Sequence, residues 1–568
     1  MPTLDPIQKS RNPETSFSLH SNLPSQTQGT PFFVHFWWMI LAVPFLALLR
    51  ELMITEGSSR SVLGALRDPT VLSIAWFTLR QAALSLLGAA LVGVPLGLWM
   101  GARANGKLPR SVEFLLSLPM GIPALLTVAA AVAWIGQNGF LTRLGIWPAS
   151  WSYSLMAVVA VHAFWNSSWL TLRVAQSRAA LSSERIEAAR LLGSRPAQLF
   201  RFLIFPEIRT ELFWASLQVF QLCAMSFVVV MALGGGPPVE TLETAIYSKV
   251  RLSELDFPGA VACVLIQSFC TLVPGLFLMR YEWRGMESRS RSEGAFSHRG
   301  WVGPHRRLNS FRFALIALII GLIPWIAAFD MKSFSSAYRW SLLPDSQAAV
   351  QISARIAVCS LSLCAAFTAL LLRAARNSTE RQKKWVIFSA LFPAGLSTFV
   401  LGLGFWLAAE PWMDPFSDQL NWVIFLQAVL GVPFFFRSLW PLVNSPQHRL
   451  MDAARALGAS PYRAFWSIEW PRWRGPLVSV LGAFFLASLG DLAALSLFSG
   501  GDFSSGVPLP VQVSRALARY QFDEVQGILL VLLLTGVLGM LLMRVLAWGV
   551  GVSLPAIQDW VSASRRKE

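Results

Sequence analysis

The chain has 568 residues, of which 54% are hydrophobic and only 14% charged, with a mean hydropathy of +0.52. That balance excludes an ordinary soluble domain and places the chain in a membrane. The formal charge of +16 is spread over loops between apolar runs and forms no basic domain, which excludes a nucleic-acid-binding reading. The five cysteines lie in apolar segments without CxxC spacing, so neither a disulfide framework nor a metal site is expected.

About thirty polar residues precede the first apolar run, Pro31–Arg50, which has no clear small-residue cleavage site and reads as a retained first span. It is followed by runs near 71–101, 112–136, 152–172, 212–233, 258–279, 311–329, 346–372, 385–409, 421–441, 476–498 and 525–548. A helix rises 1.5 Å per residue, so runs of this length cross roughly 30 Å of hydrocarbon. Barrel alternation is missing, and the predicted fold class is an all-α polytopic membrane protein of about twelve transmembrane helices.

If the N-terminus is cytoplasmic, the segments on that side hold roughly three quarters of the 47 Lys and Arg. This positive-inside bias puts both termini in the cytoplasm. The opposite loops agree, with Glu240, Glu243, Glu254 and Asp256 in one and Glu410, Asp414 and Asp418 in another.

Residues 281–309 are polar and rich in Ser, Arg and Gly, the composition of a linker between halves. The expected organisation is an N-terminal cytoplasmic tail (1–30), a first six-span domain (31–280), the linker (281–309), a second six-span domain (310–549) and a C-terminal tail (550–568). An internal repeat agrees with this division. Residues 187–206, EAARLLGSRPAQLFRFLIFP, align without gaps to 452–471, DAARALGASPYRAFWSIEWP, at an offset of 265. Near the start of each half, Arg80, Ala82, Ser85, Leu86 and Ala90 match Arg355, Ala357, Ser360, Leu361 and Ala365. An even number of spans per unit inserts both copies in one orientation, which implies a pseudo-two-fold axis along the membrane normal.

Both copies of the 20-residue match fall in loops longer than a simple connection needs. Each reads as helix, turn, helix: an apolar stripe (Ala188, Leu191 and Leu192; Ala453, Ala456 and Leu457), a glycine for the turn (Gly193; Gly458), and a proline opening a second helix (Pro196; Pro461), with Ser460 as N-cap of the later one. A single such loop also reads as interfacial helices packed beneath the bundle. Two matched copies favour a symmetric pair of partners instead.

The loops resemble the EAA loop of ABC importer permeases: Glu-Ala-Ala, three residues, Gly, nine residues, then Ile-x-Leu-Pro. Glu187, Ala188, Ala189, Gly193, Leu203, Phe205 and Pro206 fill the pattern in the first copy, and Asp452, Ala453, Ala454, Gly458, Ile468, Trp470 and Pro471 in the second. Asp452 replaces Glu, while Leu203, Phe205 and Trp470 replace Ile and Leu; charge or apolarity is kept. The resemblance implies two parallel six-helix permease repeats in a bacterial inner membrane, with the loops docking on two copies of an ATPase subunit. It further implies an extracytoplasmic solute-binding protein, no enzymatic activity and no cofactor in this chain, and Mg-ATP on the partner subunits.

The remaining motifs are weaker. Gly101 to Lys107 has P-loop spacing, but Leu108 stands where a Ser or Thr must reach magnesium, and no strand precedes it. His162 and Asn166, one helical turn apart, read as polar glue between helices or as substrate contacts. Arg80 and Arg355 read as snorkelling to the interface, and the 24 Trp as interfacial belts. The fused layout resembles the thiamine and ferric-iron importer permeases. Leu233 to Tyr247 with Asp256-Phe257, and Leu489 to Phe498, favour thiamine, with ferric iron as the alternative. A proton-driven carrier of two parallel halves would need buried charges in several spans, and a membrane-embedded enzyme would need a nucleophile–base arrangement; neither pattern emerges.

Overall fold

The computed structural model describes residues 29–54, 61–104, 107–234, 236–251, 256–292, 304–326, 329, 331–412, 419–444, 454, 456–498 and 506–564. The first half comprises α1 (Gly29–Ile54), α2 (Pro69–Arg103), α3 (Arg110–Gly121), α4 (Ala124–Ile135), α5 (Leu155–Ala180), α6 (Ser183–Leu191), α7 (Pro196–Leu199), α8 (Phe205–Ala224), α9 (Val228–Leu233), α10 (Leu242–Arg251) and α11 (Phe257–Ser292). The second comprises α12 (Pro304–Gly321), α13 (Ser346–Asn377), α14 (Glu380–Leu391), α15 (Thr398–Ala409), α16 (Gln419–Val443), α17 (Pro461–Ala464), α18 (Trp470–Leu489), α19 (Leu492–Phe498), α20 (Leu509–Ala518) and α21 (Phe522–Ser564), with shorter turns between some of them. The all-α polytopic expectation holds. The linker expected at 281–309 is helical at both ends, because α11 runs on to Ser292 and α12 starts at Pro304. Residues 1–28, 293–303 and 565–568, parts of the expected tails and linker, lie outside the described residues.

The expected spans are not all continuous helices. Among the described residues, eight helices are long and apolar enough to cross a membrane, and ten if each of two bent pairs is one span: α14 into α15 at 101° and α18 into α19 at 44°. The run near 112–136 is broken between α3 and α4, that near 212–233 between α8 and α9, and that near 311–329 is a shorter apolar helix. Four of these breaks fall in corresponding spans of the two halves. Pro119, Gly121 and α4 from Ala124 correspond to Pro393, Gly395 and α15 from Thr398, while Ser226 corresponds to Asp491. Proline lacks the N–H a helix interior needs, which explains the first pair.

A broken helix exposes carbonyls that lipid cannot satisfy. Side chains from neighbouring helices close them here. Trp165 of α5 donates to the Pro119 carbonyl. Gln267 of α11 donates to Ala224 at 3.0 Å, and Gln221 of α8 to Ala394 at 3.0 Å. Trp37 of α1 donates to Ser389 at 3.0 Å, and Gln427 of α16 to Ser488 at 3.4 Å.

Repeat symmetry extends to side-chain chemistry. In the first half Gln81 meets His162 Nδ1 at 2.7 Å, and His162 Nε2 meets the Ser226 hydroxyl at 2.9 Å. In the second, Gln427 occupies the place of His162: it accepts from Ser360 at 2.9 Å and Ser488 at 2.6 Å and donates to Asp491 at 3.1 Å. Asp491 in turn accepts from the Ala493 and Ala494 N–H groups at the start of α19. The short helices α10 and α20 are pinned alike, with Leu242 N–H on Thr78 at 2.9 Å and Leu509 N–H on Ser353 at 2.8 Å.

Each half lends its first helix to the other. α1 packs on α15 and α13, with the Trp37 and Phe367 rings 5.4 Å apart, while α12 packs on α3 and its Phe313 meets Trp99 of α2 at 5.5 Å. Within the first half, Gly93, Gly97 and Gly101 of α2 face the α5 backbone so closely that a Cβ at Gly97 would lie 2.8 Å from the Thr171 carbonyl. Small residues four apart allow such an approach. Gly101 is thus part of a helix contact, and Arg80 and Arg355 are exposed, as snorkelling requires.

Gln427→Leu strips Ser488 and Asp491 of their donor and should cost about 1–3 kcal/mol, read as a lowered unfolding midpoint of the detergent-solubilised protein. Gly475→Ala, whose Cβ meets nothing within 4 Å, should leave the midpoint unchanged or slightly raised.

Candidate functional site

The duplicated loops fold into two brackets of the same construction. In the first, α6 ends at Leu191, and Gly193 takes φ +81°, letting Ser194 N–H return to the Ala189 carbonyl at 3.1 Å. In the second, Gly458 takes φ +82° and Ala459 N–H bonds the Ala454 carbonyl at 2.9 Å. A left-handed residue after a helix is the usual home of glycine. The second helices then begin at Pro196 and Pro461; Arg195 N–H is held by Gln198 at 2.9 Å, and Ser460 accepts from Arg463 N–H at 3.2 Å, the N-cap the sequence predicts.

Both brackets pass into the next span through one widened turn. At Phe200–Ile204 and Phe465–Glu469 the chain forms π-helix, with Phe205 N–H on the Phe200 carbonyl and Trp470 N–H on Phe465. Pro206 and Pro471 follow directly. Neither has an N–H for the carbonyl four residues back, so the turn opens by one residue.

The inner face of the first bracket is a small core of Leu181, Ile186 and Leu199, with Ala189 packed against it. Its outer face is bare: Leu191 is 89% and Leu192 86% exposed, and Glu187 and Ala188 are exposed beside them. Leu457 of the second bracket is 89% exposed. Burying one such leucine against a partner contributes about 1.5–3 kcal/mol. Asp452 and Ala453 lie outside the described residues, as does Arg455. The brackets therefore combine glycine turns with exposed apolar side chains, and among the described residues no group of His, Cys, Asp or Glu is arranged for a metal.

His162 and Asn166 are buried among helices: His162 bonds as above, and Asn166 donates to the His162 carbonyl at 2.9 Å. Between helices, His162 reaches Gln81 of α2 and Ser226, and Asn166 reaches Cys223 of α8 at 3.5 Å. Glu243 departs from the sequence expectation of a loop acid, since it is buried at 1% exposure. Its position in an amphipathic stretch between two broken or long spans was the available signal, but hydropathy alone reads that stretch as loop.

Residues 93–281 and 365–550 each match the family described as the binding-protein-dependent transport system inner membrane component, and the chain belongs to that family. It is the permease of an ABC importer, a multi-pass membrane subunit with the family's domain present twice. The thiamine transport system permease protein of Brucella abortus (strain 2308) is 28% identical over 517 residues, covering 89% of this chain and 93% of that one. Proteins of the same description from Haemophilus influenzae (27% over 486 residues, 81% and 88%) and Escherichia coli K12 (26% over 433 residues, 74% and 79%) are also similar. A probable sulfate transport system permease protein of Zygnema circumcarinatum matches at 25% over 249 residues, 42% of this chain but 84% of its own length.

Gly193→Val places a branched side chain at positive φ where nothing crowds its Cβ, so the cost is backbone strain of about 1–2 kcal/mol. Hydrogen exchange should quicken across 183–206 and stay unchanged in α2 and α5.

Proposed function

We propose that this chain carries thiamine or its phosphates across a bacterial cytoplasmic membrane, with both termini in the cytoplasm. It works with two copies of an ATPase subunit, which bind Mg-ATP, and with an extracytoplasmic solute-binding protein. The observation that carries this is the pair of brackets: two turns of one geometry, each offering exposed leucine to a partner, suit two copies of one subunit. Thiamine as cargo rests on relatives of that description matched over 89% of the chain.

In this reading Glu187, Ala188, Ala189, Gly193 and Pro206, with Asp452, Ala453, Ala454, Gly458 and Pro471, form the coupling surface. The two units are 31–280 and 310–549. Closure of the ATPases around nucleotide draws the brackets together, and the stiff turns at Gly193 and Gly458 pass that motion through the π turns into α8 and α18. The binding protein and ATP act by preferring different states of one equilibrium between outward- and inward-open forms.

The chain reconstituted with its ATPase and binding protein should hydrolyse ATP faster with thiamine species than without. Stimulation by ferric ion alone would keep the importer and replace the cargo. Leu192→Asp with Leu457→Asp should leave membrane insertion intact and weaken association with the ATPase at least tenfold, about 1.4 kcal/mol or more; an unchanged affinity would remove the brackets from the interface.

A further inference from the structure

The four helix breaks meet where the two halves touch. Pro123, at the first break, sits against Gly490, where an added Cβ would come within 2.3 Å of it. On the other side Gly275 lies against Gly395, and Gln221 donates to Ala394. Phe227 at the α8/α9 break meets Phe399 of α15 in a tilted pair, 4.6 Å between centroids, and Tyr247 of α10 contacts both, at 5.4 Å and 6.5 Å.

Glu243 lies on the same helix as Tyr247, one turn before it. Its carboxylate accepts from Gln267 Nε2 at 2.6 Å, and the Ser397 side chain at the α15 break lies beside it. Gln267 stands ten residues into α11 from Phe257, about 15 Å along the helix and at membrane depth. Both groups on the carboxylate are neutral, and among the described residues Glu243 has no ion pair. These neutral neighbours fix the carboxyl group in place and bring no countercharge, whereas a buried carboxylate is normally paired with a cation. The amide oxygen of Gln267, fully buried beside it, also has no hydrogen-bond partner.

We propose that Glu243, with the ring faces of Phe227, Tyr247 and Phe399, forms a site for an organic cation crossing between the halves. This rests on the reading that the cargo is thiamine, a permanent cation with aromatic rings. A carboxylate balances the charge, aromatic faces attract a cation within about 6 Å, and the Gln267 oxygen can accept a hydrogen bond from the cargo. Sites at repeat interfaces built from discontinuous helices are a general solution for transporters. In this conformation the site is shut: Glu243 is 1%, Phe227 3% and Phe399 0% exposed. Glu243, Gln267, Phe227 and Tyr247 come from the first half and Ser397 and Phe399 from the second, so parting the halves opens it.

The test uses the complete transporter, trapped with nucleotide and vanadate, and measures radiolabelled thiamine retained per trapped nucleotide. Glu243→Gln, which can still accept from Gln267, should retain at least tenfold less than wild type, and Phe399→Leu at least threefold less. Wild-type retention by both variants would overturn the site while leaving thiamine as cargo. A loss that only tracks a loss of trapped nucleotide would overturn it in favour of a purely structural role. Failure of the wild-type transporter to take up thiamine would remove the cargo reading and the site together.

Discussion

Backbone carbonyls left open inside a membrane must find donors within the protein. Four helix breaks at the centre of this chain create that demand, and amide or indole side chains of Trp37, Trp165, Gln221, Gln267 and Gln427 meet it from adjacent helices. Two of these bonds, from Gln221 to Ala394 and from Trp37 to Ser389, pass from one half to the other. The breaks therefore hold the halves together while giving each a place where the helix can bend. The same condition gives polar residues a structural reason to be present at membrane depth.

The exchange of first helices bears on the same constraint. α1 covers the bend between α14 and α15, bringing Trp37 to the Ser389 carbonyl, and α12 covers α3 in the other half. The two halves are therefore joined at both ends of the exchange as well as at the breaks. The brackets are shaped by local turns: positive φ at Gly193 and Gly458, and widened turns before Pro206 and Pro471. A rigid handle and a bendable span are what transmission of a small displacement needs.

Much of this was readable from sequence. The brackets were legible because a turn glycine, an opening proline and exposed leucines are local features, and their repetition at a fixed offset doubled the signal. The all-helical membrane class followed from run length. The breaks were less visible: mean hydropathy averages over Pro123 and Gly490 and reports one span where the chain makes two helices. Glu243 was assigned to a loop because its neighbours Glu240 and Asp256 are polar, and only the folded contacts with Gln267 and Ser397 reveal its depth. The kinship of His162 with Gln427 was hidden for a related reason, since a histidine and a glutamine perform equivalent hydrogen-bonding work without sharing an identity.

Nitroxide labels at Leu192 and Leu457, both exposed and one on each bracket, allow the distance between the brackets to be measured in the assembled transporter by pulsed electron resonance. The distance should shorten when ATP binds and return after hydrolysis. A distance that stays fixed while the transporter turns over would mean that the brackets are passive feet, and that the motion of the ATPases reaches the spans by another route.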